Sequence, residues 1–285
     1  MKNIIIGLAV ALAFGAGGYF LYQQNTLSQD LDSGIDVQVA AGKDLTLREV
    51  VQSRHEDVEG TGGCDVRILY PQIDEVSNID SAIRESMNDT IRKTVKEFLT
   101  TNDVNLDDAA TDFVTSCKDD LVDLVAQLND PIESAQQAWT SEIGYDVKQN
   151  TNGILSIGLS NYLNQGGAHP NSTQIFLTFD VKTGNQLSLR DVIDPAQTQA
   201  FELKEKQMLV NQYAGQLFEE SLNEFITYFA TPTAEMTDRY IDDALWYSTP
   251  EAIGVFYNPY SIAPYVAGPI AVELLRSDLG SIVIH

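Results

Sequence analysis

The sequence predicts an α+β fold of two small subdomains, with antiparallel sheets packed against helices. Three observations carry that expectation. Apolar residues recur every three or four positions from Ile79 to Phe98 and again from Phe113 to Val125. From Trp139 to Leu189 the period changes to two. A further helical stretch, Pro195 to Ala230, leads into short strand-like runs near Trp246, Gly254 and Ala271. An antiparallel meander with helical blocks on either side is an α+β pattern.

The elements follow in order. Ile4 to Tyr22 runs 19 residues without a charge, close to the roughly 20 that span a bilayer. Lys2 and the terminal amine favour a cytoplasmic N-terminus, and the next positive residue is Lys43. Everything after Tyr22 is therefore expected outside the membrane. Ala11-Leu12-Ala13 fits the small-residue cleavage rule but leaves a short apolar core. Both an anchor over residues 4–22 and a cleaved, secreted form stay open, with the anchor preferred. No cysteine lies near the segment, which excludes a lipoprotein. Residues 23–63 read as a polar linker, ambiguous after Asp44.

One subdomain is expected over 64–150 and a second over 151–285. Asp65 to Tyr70 alternates as a strand that Pro71 ends. Ser77 with Asp80 resembles a capping box before a helix with Ile79, Ile83, Met87, Ile91, Val95 and Phe98 on one stripe. A second helix from about Asp107 to Leu128 buries Phe113, Val114, Cys117, Leu121, Leu124 and Val125. Asn152-Gly153 is a hairpin turn between Ile143-Tyr145-Val147 and Leu155-Ile157-Leu159. Ile175, Leu177 and Phe179 alternate again. After Lys182-Thr183-Gly184-Asn185, Leu187 and Leu189 continue the strand pattern. Phe201, Met208, Leu209, Leu217, Leu222 and Phe225 are expected core.

The formal charge is -24. Lys2 is the only charged side chain before residue 23, so the remainder carries -25. That surface repels nucleic acid, whose binders need basic patches; it serves either plain solubility, the preferred reading, or encounter with a cationic partner. Two cysteines, Cys64 and Cys117, lie in the exported part. In an oxidising compartment a lone pair reads as one disulfide.

Little in the sequence carries chemistry. His169, in Gly166-Gly167-Ala168-His169-Pro170-Asn171, is a candidate general base or ligand. No Gly-x-Ser-x-Gly or His-Glu-x-x-His motif accompanies it. The other reading is a tight glycine turn that the imidazole holds by hydrogen-bonding the backbone, and it is preferred. Asp103-x-Asn105-x-Asp107 opens like a calcium loop, but Asp108 stands where glycine is required and Val114 where glutamate is. No catalytic residue, metal site or cofactor is expected. Tyr257, Tyr260 and Tyr265 lie on a proline-stiffened loop that serves either as a recognition surface or as a core lid.

Two stretches resemble a known family. One is Gly166 to Asn171 with Thr178-Phe179-Asp180-Val181-Lys182-Thr183-Gly184 and Leu187-Ser188-Leu189-Arg190-Asp191. The other is Phe256 to Pro269, FYNPYSIAPYVAGP. Together they resemble the domain of unknown function in the extracytoplasmic part of RsiV-type anti-sigma factors. Ile68-Leu69-Tyr70-Pro71-Gln72-Ile73 and the helix after it resemble the companion domain of PdaC-type cell-wall deacetylases. The resemblance covers roughly residues 64–275. It implies an α+β module without an established catalytic role, which in RsiV senses lysozyme by binding it. In PdaC the deacetylase chemistry belongs to a separate domain that is not expected here. With three residues before the membrane segment, no cytosolic sigma-binding region is expected either.

The leading expectation is a non-catalytic, extracytoplasmic binding module of the cell envelope, on the periplasmic side of the cytoplasmic membrane. Its partner would be a cationic wall hydrolase such as lysozyme, or peptidoglycan. His169, Asn171, Tyr257, Tyr260 and Tyr265 are the candidate binding residues. A hydrolase using His169 and a structural protein partnering another membrane protein are the alternatives.

Overall fold

The computed structural model describes residues 44–99, 106–127, 138–231 and 245–284. The expected membrane segment lies outside these residues, as do the side chains of Asp103, Asn105 and Asp107. Among the described residues no helix is long and apolar enough to cross a membrane.

The fold is α+β, built on two sheets. The first has five strands in the order β1-β2-β3-β4-β5: β1 Leu47–Glu56, β2 Cys64–Ile73, β3 Trp139–Thr151, β4 Ile154–Asn164 and β5 Asn171–Asp180. Neighbours are antiparallel except β2 and β3, which run parallel from Cys64↔Trp139 to Ile68↔Ile143. The β2–β3 connection carries helices α1, Ser81–Phe98, and α2, Ala109–Gln127. Both pack on one face of the sheet. Met87, Ile91 and Val95 of α1 and Val114, Cys117 and Leu121 of α2 are buried against Val66, Ile68, Leu155, Ile157 and Leu159. Cys64 and Cys117 are joined as a disulfide with Cα atoms 6.2 Å apart, which ties α2 to the head of β2.

Several expectations are corrected here. The ambiguous stretch after Asp44 contains β1, paired along its whole length with β2. β2 continues through Pro71 to Ile73 rather than ending there. Beyond Ile68, among the described residues, β1 alone is its ladder partner, so a missing N–H on the other side is tolerated. Ser77 is not a cap. Its hydroxyl holds the Thr46 backbone through both N–H and carbonyl. Asp80 caps α1, accepting from the amides of Ala82 and Ile83. Val125 is exposed rather than buried, because it lies off the stripe facing the sheet. The subdomain boundary expected at 150/151 falls inside the β3–β4 hairpin. Asn152 (φ 58°) and Gly153 (φ 74°) make the two-residue turn between those strands, the left-handed pair that matches strand twist. The first sheet therefore runs on to Asp180.

After β5, Gly184 (φ 75°) turns the chain. Leu187 and Leu189 do not extend the strand. One bridge, Phe179↔Gln186, is made. Ser188 and Asp191 then form a capping box that starts the short helix α3, Leu189–Val192. The helical stretch after Pro195 splits into α4, Thr198–Tyr213, and α5, Glu219–Ala230. The second sheet has the order β6-β7-β8, all antiparallel: β6 Leu245–Ser248, β7 Ala252–Tyr257 and β8 Ile270–Leu275. The short helix α6, Arg276–Leu279, follows. Phe201, Leu209 and Phe225 of α4 and α5 pack on Trp246, Ile253, Val255, Val272 and Leu274. Met208, Leu217 and Leu222 are only partly buried.

The two sheets meet along an aromatic and polar seam. Phe176 of β5 packs against Tyr247 and Phe256, with ring centroids at 4.9 and 5.1 Å. Gly254 allows the Tyr247 ring to lie directly on the β7 backbone, where any Cβ would collide with it. Beside these rings the buried Ser248 donates its amide to Ser156 Oγ and its hydroxyl to Gln149, and accepts from Arg276. Every polar group entering the seam at Ser248 thus finds a partner, as burial requires.

Candidate functional site

The loop between β4 and β5 is shaped by its own short polar side chains. Asn164 Oδ1 accepts from the Gly166 amide at 3.1 Å, and Gly166 takes φ 74°, a left-handed value that glycine adopts without strain. The turn delivers His169 toward the β7–β8 loop. The imidazole Nδ1 lies 3.0 Å from the Pro170 carbonyl. A carbonyl only accepts, so Nδ1 carries the proton. In the neutral ring Nε2 then accepts, and the Tyr260 hydroxyl at 3.0 Å donates to it. The Tyr265 ring stacks on the imidazole at 3.9 Å and 17°, and its hydroxyl donates to the same Pro170 carbonyl at 2.9 Å. Tyr260 stands 5.7 Å from Tyr265, centroid to centroid.

The β7–β8 loop is fixed from the other side. Asn258 clamps the Gln174 backbone, accepting from its amide at 2.7 Å and donating to its carbonyl at 3.1 Å. This closes part of the free edge of β5, the last strand of its sheet, where unpaired backbone groups otherwise await a partner. Tyr260 adopts φ 69°, a left-handed conformation that costs a bulky residue energy and persists where neighbours hold it. Yet Tyr260 is 57% exposed, and Val266 of the same loop is exposed too.

The structure therefore divides the five expected binding residues. His169, Tyr260 and Tyr265 come together. Asn171 opens β5 as an exposed residue paired with Leu163. Tyr257 leaves the group: its hydroxyl donates to the buried Glu205 at 2.8 Å. The turn-holding reading of His169 is the one its contacts favour, with the addition that the ring also braces two tyrosines.

Sequence reading missed the sheet face next to this cluster. Residues in direct register share a face. Arg67, Glu142, Tyr162 and Ser172 form one row across β2 to β5, and Asp65 and Thr140 lie in the next. This is the face opposite the helices. Burial raises the Glu142 carboxyl above its usual range; Arg67 works against that shift and Asp65 with it. Burial also raises the Tyr162 phenol, helped by Glu142 and by Tyr265; Tyr162 and Ser172 stand at the end of the β4–β5 hairpin whose loop carries His169. Period-two alternation announces such a row, but only strand pairing says which residues share it.

A second missed group is internal. Glu202 and Glu205 of α4 are both fully buried, and each lies 3.9 Å from Lys206 Nζ. Tyr228 donates to Glu202, and Lys206 also lies 4.3 Å over the Tyr228 ring. Among the described residues no group of three or more His, Cys, Asp or Glu side chains is placed to hold a metal.

Comparison with known proteins assigns two segments of the chain. Residues 59–172 match the family model described as "Deacetylase PdaC". Residues 190–277 match the one described as "Protein of unknown function (DUF3298)". The chain carries a PdaC domain followed by a DUF3298 domain. His169, Glu142 and Tyr162 thus belong to the PdaC domain, and Tyr260 and Tyr265 to the DUF3298 domain, so the aromatic cluster is assembled by both. No curated protein matches the chain. Among solved structures, a DUF3298 family member from Bacteroides fragilis NCTC 9343 is 17% identical with a TM-score of 0.60, covering 86% of this chain and 95% of its own. One from Pseudomonas aeruginosa PAO1 is 19% identical with a TM-score of 0.55, covering 85% and 95%. At these identities the likeness establishes the shared fold alone.

Proposed function

We propose that the protein is a non-catalytic, extracytoplasmic binding module of the cell envelope, held at the cytoplasmic membrane by residues 4–22. It captures a cationic wall hydrolase of the lysozyme type through Tyr260, Tyr265 and His169. The observation that carries this reading is the exposed Tyr260 in a left-handed conformation, braced by His169. Rigid, partly exposed tyrosines supply contact area at low entropic cost and are enriched at binding hot spots. The net charge of -24 supports a basic partner, and the likeness to RsiV-type proteins supports lysozyme in particular. Both nitrogens of His169 are engaged, one by a backbone carbonyl and one by a phenol, which suits a bracing role better than proton transfer in a hydrolase.

The reading is tested by calorimetric titration of the purified full-length chain with a cationic lysozyme. The expected result is one-to-one binding that weakens but persists between low salt and about 0.15 M, because screening removes only the longer-range attraction. No heat at either salt would refute lysozyme as the partner. Binding of peptidoglycan fragments instead would transfer the role to the wall itself.

A further inference from the structure

The row beside the aromatic cluster contains a carboxylate to which none of the described residues donates a hydrogen bond. Among the described residues Glu142 makes no hydrogen bond and no ion pair, although it is partly withdrawn from water. Arg67, its neighbour on β2, is not within ion-pair distance. A desolvated carboxylate without donors is costly and calls for an explanation.

What stands around Glu142 has a definite chemistry. Tyr162 lies directly opposite it on β4, which sets the two Cβ atoms about 4.5–5.5 Å apart. Tyr162 stands at the loop end of β4, next to the β4–β5 loop that carries His169, and the Tyr265 ring is held at that loop by its stack on His169 and its bond to Pro170. A partly buried carboxylate without a hydrogen-bond donor among the described residues, with a phenol ring opposite it in register, matches one group well. A guanidinium stacks its plane on aromatic rings and presents paired N–H donors to a carboxylate.

We propose that Glu142, Tyr162 and Tyr265 form a socket for an arginine side chain of a protein partner. The chain's acidity makes a basic partner the complementary occupant. The proposal rests on the reading of this face as a recognition surface and names the group it recognises.

Argininamide serves as the probe. Titrated into the full-length protein at low salt, it is expected to shift the Glu142 carboxyl and Tyr162 ring NMR signals saturably, and glycinamide is not. In Glu142→Gln, which keeps the shape and removes the charge, saturation of the Tyr162 signal should disappear. Absence of saturation in the natural protein, or saturation unchanged in Glu142→Gln, overturns the socket. Lysozyme titration separates this result from the broader reading. Glu142→Gln should weaken lysozyme binding about tenfold or more, mainly through faster release. Argininamide saturation without lysozyme binding would uphold the socket and refute the lysozyme partner. Lysozyme binding of unchanged strength in Glu142→Gln would refute the socket's part in that complex.

Discussion

His55 shows how a single exposed group carries a measurable signature. Its ring nitrogens lie 2.7 Å from Asp65 and 3.1 Å from Asp57. Carboxylates at both ends need two N–H donors, so the pair holds the imidazolium. The hydrogen bond to Asp65, then that to Asp57, raises the His55 pKa above its ordinary value. A raised folded pKa adds stability below the unfolded pKa and loses it as pH climbs through the folded one. The melting temperature should therefore fall slightly as pH rises from about 6.5 upward. The His55→Ala variant should lose that slope, and a slope unchanged in the variant would contradict the assignment. Lys206 is the opposite case, a cation inside. Lys206→Met removes the charge shared by two fully buried glutamates and should cost about 3–5 kcal/mol in denaturant unfolding. Neither group was legible in the sequence. His55 gives no sequence signal because Asp65 reaches it only across a strand pair, and a Glu-Leu-Lys-Glu-Lys run reads as a solvated helix face until tertiary packing covers it.

Elements with strong local signals were readable, and those defined by a partner were not. The stripe from Ile79 to Phe98 and the Asn152-Gly153 turn each carry their own geometry, and α1 and the β3–β4 hairpin stand where expected. β1 was missed because its side chains are largely intermediate or exposed, so it lacks a buried face and owes its existence to pairing with β2. The strand running through Pro71 was missed for the related reason that proline tolerance depends on which edge is open. The disulfide was anticipated from composition and compartment, and the fold explains its position: it fastens α2 to the strand head next to the parallel β2–β3 pairing, where no local turn sets the register. Closing a loop with a sequence separation of 53 contributes about 4 kcal/mol through the unfolded chain. A Cys64→Ala/Cys117→Ala double variant should lose about that much in denaturant unfolding. A loss well under 1 kcal/mol would mean that packing of Leu121 and Val114 alone fixes α2.

At the scale of the whole molecule, the PdaC and DUF3298 domains act as one support for a single surface. The Phe176–Tyr247–Phe256 seam and the Ser248 network join the sheets, and Asn258 clamps the β5 backbone. Tyr260 from one domain then meets His169 from the other at a fixed distance. The sequence showed His169 and the tyrosine loop as separate candidates 91 residues apart. Their convergence depends on the seam, whose polar members Gln149, Ser156 and Thr178 are unremarkable in a strand pattern. Tyr257 was misplaced for the same reason: alternation along β7 turns it toward Glu205 while the loop beyond carries Tyr260 outward. The most direct measurement is lysozyme titration of the natural chain against Tyr260→Ala, with melting temperature recorded in parallel. Tyr260→Ala is expected to lose about 2 kcal/mol or more in binding free energy with the melting temperature nearly unchanged, since Tyr260 is mostly exposed. Binding of equal strength in Tyr260→Ala would refute capture through this tyrosine.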